Sequence, residues 1–221
     1  MAKKLIIYGA GDFALHCTRI FESESQFQVV AYTVDDEYRS SDTFNDKELI
    51  SFSNVTKKYP PQDYSMFVAV GYSSMRARKR LYENAIAKGY SLANYVSNDA
   101  TVNSTVKIGC NNIFMDGVII EHGVSIGNNN IFWSGVTICH DTSIESHSFF
   151  AARCIVGGYS NVKNMCFIGF NAVVLQQIII ENETLVGACS LVLNNSEPHT
   201  KLIGQPARKV GTHSDMGIKI G

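Results

Sequence analysis

Two periodicities divide the chain. Residues 1 to about 90 alternate short apolar runs with amphipathic ones. Lys4 to Tyr8 reads as an apolar strand, and Gly9-Ala10-Gly11 as the turn that ends it. From Asp12 to Glu22 the apolar residues Phe13, Ala14, Cys17, Ile20 and Phe21 recur at helical spacing. Phe27 to Tyr32 predicts a second strand running towards Asp35-Asp36, and Ser65 to Val70 a further one ending at Gly71. Ser73 to Lys88 predicts a basic amphipathic helix containing Arg76, Arg78, Lys79 and Arg80. Strand, glycine turn, helix, strand and acidic pair follow one another as in a small Rossmann-like βαβ unit.

From residue 96 the period becomes six. Val96, Val102, Ile108, Phe114, Ile120, Ile126, Phe132, Ile138, Ile144, Phe150, Val156, Val162, Ile168, Val174, Ile180, Val186 and Val192 are all aliphatic or Phe. A second register, four residues after each, runs from Ala100 to Ser190 and is mostly small. Gly109, Gly127, Gly157, Gly169 and Gly187 directly follow large positions, where a turn would need them. An unbroken six-residue period is the signature of a parallel β-helix. Each short strand turns one large side chain inward, and the small register fits the tight corner. Three hexads per coil predict roughly five to six coils, about 25–30 Å tall. The expected architecture is an α/β domain at 1–92, an all-β parallel helix at 93–197 and a C-terminal tail at 198–221.

Composition narrows the function. Apolar residues make up 45% and charged ones 18%, enough for a buried core in each part. Lys plus Arg number 19 against 20 Asp plus Glu, so there is no basic field to argue for nucleic acid. The six cysteines form no CxxC pair and fit no zinc ligand set, so no metal is expected. The apolar run at Leu5–Tyr8 is too short for a signal peptide, and no segment approaches the length of a membrane span. The expectation is a cytoplasmic protein with reduced thiols and no membrane insertion.

The hexads, preceded by a βαβ unit and followed by Gly204-Gln205-Pro206-Ala207, resemble the left-handed β-helix sugar acyltransferases. The branch resembled N-acetylates nucleotide-linked amino sugars or O-acetylates sialic acid. In it, a His followed by an acidic residue stands just after a large hexad position; here that is His140-Asp141 after Ile138. Gly158 matches a glycine one coil later, and Gly187-Ala188 matches a further glycine-rich stretch, with Ala188 where relatives often have Gly. Many relatives carry a second His nine residues after the first; this chain has Phe149 at that place, beside the acyl thioester in relatives.

The resemblance implies acetyl-CoA as co-substrate, a UDP- or dTDP-linked 4-amino-4,6-dideoxyhexose as acceptor, and a homotrimer with CoA between neighbouring β-helices. Imidazole, with an ordinary pKa near 6.5, suits the proton transfer an attacking amine requires. Asp141 would hold one ring nitrogen protonated and leave the other free as base. An N–H near Gly158 would receive the developing oxyanion. Gly9, Gly11, Asp35 and Asp36 are the expected contacts to the nucleotide, by backbone N–H groups and carboxylates, and Trp133 is expected to line the substrate pocket. Cys139 offers a Cys–His nucleophile as an alternative. His16, His122, His147, His199 and His213 read as solvated or structural. Two other readings remain open: sugar O-acetylation with the same base, and a non-catalytic β-helix binding module.

Overall fold

The computed structural model describes residues 3–24, 27–71, 73–213, 217, 218 and 220. The chain forms two compact units, one of residues 1–71 with 77–95, the other of residues 72–76 with 96–221.

In the first unit the apolar runs become a five-stranded sheet. β1 (Lys3–Tyr8), α1 (Asp12–Glu24), β2 (Phe27–Val34), β3 (Thr43–Phe44), β4 (Lys47–Ser51), α2 (Val55–Lys58) and β5 (Ser65–Val68) follow one another, then α3 (Met75–Ala87). The sheet order is β3-β4-β2-β1-β5, parallel except for the β3–β4 hairpin. β1 is central, and Leu5, Ile6 and Ile7 are wholly buried. The chain reaches β2 on one side of β1 and β5 on the other. That is a topological switch point, and it opens a crevice at the carboxyl ends of these strands.

The second unit is the parallel β-helix. Its strands up to Leu191–Val192 are two residues long, and each pairs with the strand eighteen residues away. They stack into a six-stranded face through Ile138 (face 1), a five-stranded face through Ile144 (face 2) and an eight-stranded face through Phe150 (face 3). Large hexad residues from Phe114 to Val192 are buried, as is the small register from Asn112 to Ser190. Phe114, Phe132 and Phe150 stack in one column, with centroids 4.9 and 4.7 Å apart. The first hexad departs from the expectation: Tyr95 is buried and Val96 is exposed. Residues 200–212, expected as a tail, form the antiparallel strands Thr200–Gly204 and Ala207–Thr212, which extend face 3.

The corners correct one expectation. The left-handed turn residue is the third after each large position, at every sixth residue from Asn111 to Cys189, with φ between 52 and 72°. Only Gly117, Gly123 and Gly135 among these are glycines. A non-glycine residue there costs roughly 1–2 kcal/mol, offset by a coil-to-coil bond such as Tyr159 N–H to His140 O at 3.1 Å. Gly109, Gly127, Gly157 and Gly169 do not make the turn. They are small because the next coil approaches them: a Cβ at Gly169 would stand 2.6 Å from Ala188 N.

Candidate active site

His140 stands two residues past Ile138, at the corner where face 1 turns into face 2. Its ring is held on several sides. Nδ1 lies 3.1 Å from Asp141 Oδ2. The His122 ring, one coil earlier, is nearly parallel to it, with centroids 5.5 Å apart at 15°. Tyr159, one coil later, meets it edge-on at 5.1 Å and 85°. Gly158 closes the same side, because a Cβ there would lie 2.8 Å from His140 Cε1 and 2.9 Å from Nε2. The backbone is held too: His140 N–H donates to Glu121 Oε2 at 2.7 Å, and Asp141 N–H to His122 O at 3.0 Å.

Among the described residues Nε2 meets no hydrogen-bond partner, and the imidazole side chain is 40% exposed. With Asp141 accepting from Nδ1–H, Nε2 is left as the basic nitrogen. Among the described residues the Gly158 N–H also meets no acceptor, so it is available to an oxyanion. Cys139, next to this histidine, has its thiol pushed up by burial and by the Glu121 carboxylate, which opposes a thiolate nucleophile.

The six-residue ruler brings His140, Asp141 and Gly158 together. It leaves the other expected residues elsewhere. Phe149 is buried on face 3, stacked on Phe167 at 5.4 Å and 3° and facing Trp133 at 6.0 Å. Face 3 lies across the prism from the corner of His140, so within one chain Phe149 does not reach it. Trp133, Gly187 and Ala188 occupy the corner where face 3 turns into face 1. His147 is buried and bonded to Asn129 at 2.9 Å, at the third corner. Glu121 and Tyr159 are not singled out in the sequence, and His122 reads there as solvated or structural, whereas its ring stacks on His140. Their signal was available: they lie eighteen or nineteen residues from His140.

In the first unit a cavity of about 300 Å³ opens at the switch point, lined by Tyr8, Gly9, Ala10, Asp35, Tyr38 and Arg80 among others. Gly9 has φ 138°, and a Cβ would stand 2.6 Å from Ala69 O, so only glycine fits. Its N–H donates to Thr33 O at 2.9 Å and is not free for a phosphate, contrary to expectation. Gly11 has open space around it and no close approach to explain it. Asp35 accepts from the Tyr8 hydroxyl and pairs with Arg80 at 3.4 Å. Burial raises the Tyr8 hydroxyl well above its ordinary range, reinforced by this carboxylate. Asp36 is turned to Ser53, whose hydroxyl donates at 2.7 Å and lowers its pKa, so it does not line the cavity.

All six cysteines are free thiols. Among the described residues no helix is long and apolar enough to cross a membrane, and no group of His, Cys, Asp and Glu is arranged to hold a metal.

The sequence matches the PglD N-terminal domain over residues 4–85 and the bacterial transferase hexapeptide, six repeats, over residues 105–140. No curated protein matches it in sequence. Solved structures do match in fold. The acetyltransferase domain of PglB from Neisseria gonorrhoeae FA1090, in complex with acetyl coenzyme A, is 21% identical over 95% of this chain and 100% of that one, with TM-score 0.81. A mutant of GDP-perosamine N-acetyl transferase from Caulobacter crescentus, in complex with CoA and GDP-perosamine, is 25% identical over 96% and 98%, with TM-score 0.82. WeeI from Acinetobacter baumannii AYE is 20% identical over 94% and 100%, with TM-score 0.79.

Proposed function

Starting from a chain that belongs to the left-handed β-helix, hexapeptide-repeat sugar acyltransferases with a PglD-type N-terminal domain, we propose that it moves the acetyl group of acetyl-CoA to the amine of a nucleotide-linked 4-amino-4,6-dideoxyhexose. The observation that carries this reading is the His140 imidazole, tied through Nδ1 to Asp141 and open at Nε2. The amine nitrogen bonds to the thioester carbonyl carbon while Nε2 takes the proton it loses. The carbonyl oxygen gains charge against the Gly158 N–H. The C–S bond then breaks, and the imidazolium returns the proton to the departing thiolate. No acyl-enzyme is needed.

The nucleotide belongs in the cavity at the first unit's switch point, with Gly9 and Asp35 on its wall and Arg80 as the charge for a diphosphate. The relatives solved with acetyl coenzyme A and with CoA and GDP-perosamine support this pairing of substrates. They add GDP to the UDP and dTDP carriers expected from the sequence. The assembly is a homotrimer. In one chain Trp133, Gly187 and Ala188 lie at a different corner from His140, and only a neighbouring copy can bring the two corners to one cleft. Free thiols and acetyl-CoA use fit the cytoplasm.

The test is release of CoA thiol from acetyl-CoA with GDP-, UDP- and dTDP-linked 4-amino sugars and with the matched hydroxy sugars. Turnover with an amino sugar is expected. Turnover with hydroxy sugars alone refutes N-acetylation in favour of O-acetylation. Full activity in His140→Ala refutes the base. Sedimentation at three times the chain mass is expected.

A further inference from the structure

One coil before the His140–Asp141 pair lie Glu121 and His122, in register with Cys139 and His140, and the chemistry above does not use them. Three contacts join the two pairs. Glu121 Oε2 accepts the His140 N–H at 2.7 Å, the His122 carbonyl accepts the Asp141 N–H at 3.0 Å, and the two imidazoles stack at 5.5 Å. The first is unlike the rest of the helix corners that use side chains. At the corner between faces 2 and 3, the N–H groups of Cys110, Asn128, Ser146 and Asn164 go to neutral Asn or Ser oxygens. At His140 a carboxylate does this, and a charge-assisted bond is shorter and about twice as strong.

From this juxtaposition we infer that Glu121 and His122 are positioning residues for the base. Glu121 fixes where the His140 backbone leaves the strand, and the His122 ring fixes the tilt of the imidazole above it. The direction of support matters. Gly158 and Tyr159 close the ring from the next coil and Asp141 holds Nδ1, so without His122 nothing holds the ring from the preceding coil. A recess of about 400 Å³, lined by Thr101, Asn103, Ile119, Ile120, Glu121 and His122, borders this flank. Truncating His122 therefore lets water from the recess reach the imidazole face. A reacting group must be held to within about 0.5 Å to act, and a displacement of about 1 Å costs on the order of 100-fold in rate.

The inference rests on His140 being the base, and the experiment separates the two. Four variants are compared with His140→Ala: Glu121→Ala and Glu121→Gln, His122→Ala and His122→Phe. The probes are acetyl-CoA with the nucleotide-linked 4-amino-4,6-dideoxyhexose that wild type turns over, and the ¹⁵N spectrum of the histidine side chains without substrate. Glu121→Ala and His122→Ala are expected to lower kcat by about 10- to 100-fold, with KM for acetyl-CoA within about twofold. Glu121→Gln, which keeps an acceptor oxygen, and His122→Phe, which keeps a flat ring, are expected to recover most of the loss. In the spectrum, wild-type His140 is expected as one tautomer with the proton on Nδ1, and His122→Ala as a mixture.

Inactive His140→Ala beside fully active Glu121→Ala and His122→Ala overturns the positioning role alone. Active His140→Ala overturns the base, and the positioning role with it. An unchanged His140 spectrum in both alanine variants overturns the positioning role without any acceptor in hand.

Discussion

Gly158→Ala is the sharpest test of the arrangement around His140. Gly158 is not in the left-handed region, so its backbone accepts alanine. The three atoms nearest an added Cβ all belong to the His140 ring, at 2.8 Å for Cε1, 2.9 Å for Nε2 and 3.2 Å for Nδ1. Ordinary contact needs about 3.5–4.0 Å, so the ring must withdraw by roughly 0.7–1.2 Å from the 2.8 Å position. A displacement of about 1 Å costs on the order of 100-fold in rate, about 2.7 kcal/mol in barrier. The fold should be indifferent. The imidazole swings rather than the coil, and Gly→Ala at a compatible site gains about 0.4–1 kcal/mol through the unfolded chain.

Gly157→Ala is the control. There a Cβ meets backbone, 2.5 Å from Gln176 N and 2.7 Å from Leu175 C, so the next coil must move. Its expected loss is about 1–3 kcal/mol of stability. The assay is CoA thiol release beside a thermal melt for both variants. Gly158→Ala is expected to keep its melting temperature and lose kcat, and Gly157→Ala to lose melting temperature. Wild-type kcat in Gly158→Ala, or the same loss of stability in both, refutes the reasoning.

Further outcomes follow from other contacts. Asp141→Asn keeps a residue that tolerates the left-handed φ of 56° but removes the carboxylate, and kcat is expected to fall about 10- to 100-fold with little change in melting temperature. Arg80→Ala is expected to raise KM for the nucleotide sugar about tenfold and leave KM for acetyl-CoA unmoved in steady-state kinetics. Acid should loosen the second unit's C-terminal hairpin. His213, with Nε2 buried and unpartnered among the described residues, has its pKa lowered from 6.5 by burial and then by Lys201. It therefore contributes fully above its unfolded pKa, about 6.5, and the contribution is lost as pH falls through its lower folded value. Glu183 follows. Burial raises its pKa, but the paired Arg76 bonds at 2.8 Å, helped by His199, outweigh this and leave it below 4.5. Its share is full above about pH 4.5 and is lost below, through its lower folded value. Melting temperature is expected to fall in two steps, the first absent in His213→Gln; identical profiles for the two proteins refute this.

The sequence alone determined the period, because each hexad must send one large side chain inward and eighteen residues close a coil. From Phe114 to Val192 that inference needed no tertiary information. It also put His140 and Gly158 at one corner, since both stand two residues past a large position and are eighteen residues, one full coil, apart. The βαβ order was legible for the same reason: β1 is buried on both faces and reads as continuous apolar sequence. Tertiary structure decided what depends on neighbours across coils. Tyr95 rather than Val96 turns inward because its ring meets Phe21, at 5.6 Å. The left-handed corners carry Asp, Arg, Tyr and Gln as readily as Gly, since the turn is held by bonds to the preceding coil, and no residue type signals that. Gly157 and Gly158 look alike in the chain, yet one is crowded by backbone and the other by an imidazole. Asp35 and Asp36 are adjacent, yet only Asp35 faces the cavity, because Ser53 draws Asp36 away. Glu121 and His122 gained their place from stacking, which sets residues eighteen or nineteen apart in contact while the sequence shows only their distance.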